Sequence, residues 1–173
     1  MYLATGNREN DRNSIGILKT SDGGSTWQTT GVVFPTAEGS TIRRLIMDPN
    51  NPQVMIAATN FGIIRTTDGW ATFDEPTLSA NINLDDVEFK PGNSNIVYAI
   101  GKSFYRSIDK GITWSNITSG LPVSGDISRS LIAVTPADQE YVYAVFGNTS
   151  GGYLGTYRST DSGSNFNIIT IGL

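Results

Sequence analysis

The sequence predicts an all-β chain of about four radially repeated, four-stranded antiparallel sheets, and three observations carry that prediction. A short phrase recurs four times, at residues 20–27, 66–73, 107–114 and 159–166. The copies lie about 40–50 residues apart, the interval of a repeat that builds one sheet per copy. Between them, short apolar runs alternate with Gly, Ser, Thr and Asn, and only 16% of the 173 residues are charged. That composition belongs to many short strands joined by turns.

Each phrase sets a hydroxyl two residues before an Asp and an aromatic five residues after it. The sets are Thr20, Asp22 and Trp27; Thr66, Asp68 and Phe73; Ser107, Asp109 and Trp114; Ser159, Asp161 and Phe166. Gly24, Gly111 and Gly163 follow the Asp by two residues in three copies, and Trp70 takes that place in the second. The hydroxyl and the carboxylate can hold backbone N–H groups inside a tight turn. The glycine supplies a conformation costly to a residue with a Cβ. The four aromatics are expected in equivalent buried positions. A bulky residue at a positive-φ site is unfavourable, so the second turn is expected to be altered, with Trp70 half-exposed or laid over a neighbouring sheet.

Upstream of each phrase an apolar strand ends in Ala, at Ala4, Ala57, Ala99 and Ala144, and three copies carry an earlier turn proline, Pro49, Pro91 and Pro136. A further strand precedes each proline. The unit is thus four strands, A to D, with the Asp phrase at the C–D turn, the organisation of a propeller blade. The expected blades are 1–31, partial and without its inner strand A, then 42–76, 85–118 and 129–173. Strand C has apolar residues on both faces in Ile17 and Leu18, Ile63 and Ile64, and Phe104 and Tyr105, as sheets covered on both sides require. Three full blades and one partial blade are expected to be one segment of a larger propeller, completed by further blades of the same polypeptide or by self-association.

Composition removes several chemistries. The chain has no Cys and no His, which excludes disulfides, thiol nucleophiles, Ser-His triads and His-containing metal sites. A net charge of −4 and a pI near 4.7 argue against a nucleic-acid partner. No apolar run reaches the ~18 residues of a membrane span. No cofactor and no metal site are expected. The N-terminus has no basic stretch followed by an apolar one, so no signal peptide is expected in this segment.

The repeated phrase resembles the Asp-box, or bacterial neuraminidase repeat, of sialidases, sortilin-type receptors and two-propeller xyloglucanases, and the resemblance covers essentially the whole chain. The stretches 3–6 and 103–107 are similar to those of large exported proteins of the Bacteroidetes type. The resemblance implies an extracellular or cell-surface location, with ligands on the rim opposite the Asp turns. Four equivalent Asp residues spread around an arc cannot converge on one substrate, so they are assigned a structural role. Lys19, Arg65, Arg106 and Arg158 each stand three residues before the Asp. They are expected to cover sheet edges rather than gather on one sialic acid carboxylate, and the Arg-Ile-Pro motif of sialidases is missing.

Loop length points to the opposite rim. From the strand-B Ala to the Asp, the first and fourth copies are about seven residues longer than the others, and long loops on a rigid scaffold commonly bind ligands. The candidates for binding are Arg8, Glu9, Asp11 and Arg12 in the first loop, and Asn148 and Tyr153 in the fourth. An inverting glycosidase needs two carboxylates ~6.5–9.5 Å apart. Asp11, Asp85 and Asp126 are the weak candidates, and no catalytic residue is assigned. In the xyloglucanases resembled, acid and base come from different propellers, so a segment of this length holds at most half of such a site. The reading is a non-catalytic binding or display segment whose partner is a glycan or an extracellular protein. The alternatives are part of a glycoside hydrolase whose remaining site lies elsewhere, and a purely structural spacer.

Overall fold

The structure, a computed structural model, describes residues 1–6, 13–76, 78 and 81–171. The chain divides into two compact units, Met1–Ile82 and Asn83–Leu173. Each consists of two antiparallel sheets. No helix among the described residues is long and apolar enough to cross a membrane. The only helical turns described are single 3-10 segments at Thr36–Glu38 and Ser124–Asp126.

In the first unit one sheet has the order β1 (Tyr2–Ala4), β2 (Gly16–Lys19), β3 (Gln28–Val33). The other has the order β4 (Ile42–Asp48), β5 (Asn51–Thr59), β6 (Gly62–Thr66). The first sheet comprises strands B to D, as expected for a blade without strand A. In the second, strand D shrinks to one bridge between Arg65 and Asp74, each donating its N–H to the other's carbonyl at 3.0 and 2.7 Å. Glu75-Pro76 follows at once, and a proline cannot donate to a ladder.

The second unit has two complete four-stranded sheets. One orders β7 (Leu84–Phe89), β8 (Val97–Gly101), β9 (Phe104–Ser107) and β10 (Ser115–Ile117). The other orders β11 (Ile127–Val134), β12 (Val142–Asn148), β13 (Tyr153–Ser159) and β14 (Asn167–Ile171). Ala57, Ala99 and Ala144 lie opposite Ile64, Tyr105 and Tyr157, four residues before the respective Asp. In the first sheet that place belongs to Leu3, opposite Leu18. The alignment on Ala4 is therefore corrected by one residue.

Small residues on strand B let the two sheets of a unit approach. In the first unit Met55 and Ala57 pack with Ile17, Val32, Ile42, Ile64 and Trp70. In the second, Phe104, Ile132, Ala144, Phe146 and Phe166 share one core. Each fully buried large side chain contributes ~1.5–3 kcal/mol. At one end of the second unit Lys90 Nζ pairs with Glu140 Oε1 at 2.6 Å, and Ser162 bonds to both. Lys90 and Ser162 hold the Glu140 carboxyl below its ordinary range. Burial pushes the Tyr98 phenol beneath them up to about 12.

The four Asp turns share one hydrogen-bond pattern. The hydroxyl of Thr20, Thr66, Ser107 or Ser159 donates to the Asp Oδ1 at 2.7–2.8 Å. It also accepts the N–H of Gly24, Trp70, Gly111 or Gly163 at 2.8–3.0 Å. The residue four after the Asp closes the carboxylate with two bonds, one from its N–H and one from its side chain. These residues are Thr26, Thr72, Thr113 and Asn165. Bonds from the Thr72 backbone and side chain bring the Asp68 carboxyl down to about 2. At Asp161, burial opposes the same shift, yet bonds from Asn165 and Ser159 hold it at about 2. Asp22, chiefly through Thr26, and Asp109, against its burial, are lowered as well.

Two expectations for these turns are corrected. Trp70 has φ 68°, in the same left-handed region as Gly24, Gly111 and Gly163 at 98°, 82° and 76°. The second turn is not altered, and Trp70 is fully buried, laid over the neighbouring sheet at Ile17 and Val32 rather than half-exposed. Of the aromatics, only Phe166 is buried, against Phe104 at 4.7 Å, while Trp27, Phe73 and Trp114 are half-buried. Trp114 spends its indole N–H on the carbonyl of Gly111 at 3.0 Å. The basic residues before the Asp cover neighbouring side chains. Lys19 lies over Tyr2 and Arg158 over Tyr141, while Arg65 pairs with Asp74 at 3.6 Å.

Candidate functional site

The strand order places the A–B and C–D turns at one end of each sheet and the B–C and D–A loops at the other. At the B–C/D–A end, the inner strands β4, β7 and β11 each carry a register shift, at Ile42/Arg44, Leu84/Asp86 and Ile127/Arg129. Such bulges re-aim side chains. In the second unit the re-aimed group is Asp85. It is buried, and its Oδ2 accepts the N–H and the hydroxyl of Ser130, each at 3.0 Å. The neighbouring Asp86 accepts the N–H of Val87 at 3.0 Å and of Ile132 at 3.1 Å. The two carboxylates staple β7 to β11.

The other candidates separate. Asp126 is exposed at the end of the Ser124–Asp126 turn. Asn148 Oδ1 accepts the N–H of Ser150 at 3.0 Å and of Gly152 at 2.8 Å, so its side chain ties its own loop. The Tyr153 hydroxyl bonds to Thr156 at 2.7 Å and to Thr170, which lowers its pKa below the ordinary tyrosine value. The residue as a whole is 44% exposed. Arg8, Glu9, Asp11 and Arg12 lie outside the described residues. No group of three or more His, Cys, Asp or Glu able to hold a metal ion occurs among the described residues.

At this same end of the second unit lies a pocket of about 320 Å³, at the small end of the ~300–1,000 Å³ typical of ligand sites. Lys102 and Ser103 come from the β8–β9 turn, and Asn116 and Thr118 from the end of β10. Leu121, Pro122, Val123 and Ser124 come from the D–A loop, above the buried Ile127 and Phe146. Polar and apolar groups are interleaved, and Lys102 is the one charged residue among those described in the lining. The sequence reading missed this pocket because it sought long loops, whereas a tight turn and a short connection build it. The available signal was Leu121-Pro122-Val123, an apolar run outside any strand.

Blades of this topology with a pocket at the B–C/D–A end define a β-propeller-type protein. No family model matches the chain. A xyloglucanase from Paenibacillus sp is 29% identical over 90% of this chain and 18% of its own length. An ancestral GH74 enzyme superposes with a TM-score of 0.71 at 22% identity, over 90% of this chain and 21% of the other. YCF48 from Cyanidioschyzon merolae superposes with a TM-score of 0.52 at 22% identity, over 76% of this chain and 37% of the other. A YCF48 structure bound to D1 peptide is similar, with a TM-score of 0.51 at 19% identity, over 75% of this chain and 39% of the other. The fold is thus a propeller of the xyloglucanase, or GH74, type. The chain spans about a fifth of the length of the curated relatives it matches.

Proposed function

We propose that this chain is a glycan-binding propeller segment of an extracellular carbohydrate-active protein of the GH74 type. Its four repeated turns are Asp-boxes that fasten the sheets, and its part in function is to hold a saccharide at the B–C/D–A end. One observation carries the reading: the mixed polar and apolar pocket opens at that end, away from turns whose carboxylates are already fully bonded. Similarity to a xyloglucanase supports the sugar class. Asp85 is engaged by Ser130, so the segment contributes binding rather than a complete acid–base pair.

The test is titration of the purified chain with xyloglucan oligosaccharides beside an assay for their hydrolysis. Binding without turnover is expected, and sialosides are not cleaved. Turnover by the purified chain, lost on Asp11→Ala or Asp126→Ala, would overturn the binding assignment. A second reading, a protein-binding propeller, is favoured by the likeness to YCF48, which has been solved with a D1 peptide. Binding of peptides in place of oligosaccharides would select it.

A further inference from the structure

We propose that the pocket beside Lys102 takes the carboxylate-bearing sugar of an acidic glycan, a uronic acid residue. The inference rests on the glycan-binding reading and names the sugar class within it. Lys102 sits on a two-residue turn closed by the N–H of Gly101 donating to the carbonyl of Ser103 at 3.0 Å. That turn is seated hard on the chain, because a Cβ on Gly101 would lie 2.2 Å from the carbonyl oxygen of Asn83. Lys102 has no ion pair or hydrogen bond among the described residues.

The corresponding turn of the second sheet is spent on protein. Asn60 stands at the place of Lys102, accepting the N–H of Thr41 at 2.8 Å and donating to the carbonyl of Gly39 at 2.9 Å. Phe61, at the place of Ser103, packs edge-on to Phe34 at 5.5 Å. An open pocket with an unspent ammonium is therefore a property of the β8–β9 turn, not a gap that the repeat leaves everywhere.

The lining suits a pyranose carrying one negative charge. Ser103, Asn116 and Ser124 offer hydroxyl and amide groups for ring hydroxyls. Leu121 and Val123, the latter 70% exposed, offer an apolar lip for a C–H face. A neutral sugar would cover the ammonium without pairing it. A uronate supplies a charge-assisted bond, the stronger kind. Asp126 follows Ser124 closely in sequence but does not line the pocket, so among the lining residues no carboxylate opposes the ligand.

The test titrates the whole chain with a glucuronate-terminated disaccharide and with the same disaccharide ending in glucose. The acid is expected to bind about five- to tenfold more tightly, as a partly desolvated charge-assisted bond allows, with the advantage fading at high salt. Lys102→Gln, an exposed turn change checked for an unaltered Tm, should erase the difference, and Val123→Ser should weaken both ligands. Equal affinities, or no effect of Lys102→Gln, would overturn the proposal. So would tighter binding of a tripeptide with a free C-terminal leucine. Titration of xyloglucan oligosaccharide separates the two levels. If it binds and the uronate does not, the uronate assignment falls and the glycan reading stands; if neither binds, the glycan reading falls as well.

Discussion

The carbonyl of Trp70 accepts the N–H of Gly31 at 2.7 Å, and this bond joins the two sheets of the first unit at the Asp-turn end. A Cβ on Gly31 would stand 2.2 Å from the carbonyl oxygen of Ala71, so only glycine allows the turn to seat there. Trp70 then holds a left-handed φ of 68° while its ring is buried with Ile17 and Val32. The strain of ~1–3 kcal/mol is opposed by burial of the largest side chain in the core.

Replacing Trp70 by Gly should therefore destabilise the protein, although it restores the residue of the other three turns. A large-to-small core change costs ~3–5 kcal/mol, which outweighs the ~1–3 kcal/mol of relieved backbone strain. Gly31→Ala should destabilise too, because backbone must move. Chemical denaturation of both variants checks this, and a Trp70→Gly variant as stable as the parent would refute it.

The Asp turns should give the protein a strong acid limb. Asp68 and Asp161 fall from an ordinary 3.8 to about 2, and Asp22 and Asp109 are lowered also. A carboxyl whose folded value is depressed contributes stability that is present above its unfolded value and lost as pH falls through the folded one. The denaturation midpoint should hold above about pH 4 and decline between about pH 4 and 2. Asp68→Asn should flatten part of that decline. An unchanged midpoint from pH 5 to 2 would show that the carboxylates are not held as described.

The two acidic candidates of the second unit should part company. Asp85→Ala leaves the N–H of buried Ser130 without its acceptor, while the hydroxyl keeps the Gly101 carbonyl at 2.9 Å, a loss of ~1–3 kcal/mol. Asp126→Ala, at an exposed loop position, should stay within about 0.5 kcal/mol of the parent. Thermal melts of the two variants side by side decide it, and equal melts would place Asp85 outside the staple.

What could be read from sequence was local. The Asp turns were legible because hydroxyl, Asp and glycine act within five consecutive residues. Their closing partner also repeats, as Thr26, Thr72, Thr113 and Asn165, and needed only one more column of the same alignment. The altered turn expected at Trp70 was misjudged because φ preference is local, whereas the burial against Ile17 and Val32 that opposes the strain is tertiary. The Leu3 register depends on pairing with Leu18 across a loop and has no signature in an alignment of alanines. The lost fourth strand after β6 was written in Glu75-Pro76. Of the pocket at Lys102 only the apolar run Leu121-Pro122-Val123 was legible; its shape depends on where the connection 118–124 lies against the β8–β9 turn.

The aromatics that close the Asp turns should differ in weight despite equal positions in the repeat. Phe166 is 3% exposed and packs against Phe104, and its N–H bonds to the carbonyl of Ser119 at 3.1 Å. A Cβ on Gly120 would stand 1.7 Å from the Phe166 carbonyl oxygen, so the chain after β10 is fitted closely to this residue. Phe166→Ala should thus cost ~3–5 kcal/mol. Trp114 is half-buried and bonds within its own turn, so Trp114→Ala should cost only about 1–2 kcal/mol, a partial burial term plus one hydrogen bond. Urea denaturation of the two variants tests the order. A Trp114 loss equal to or above that of Phe166 would mean that the outer edge of the third sheet is covered in solution, and that Trp114 is part of an interface.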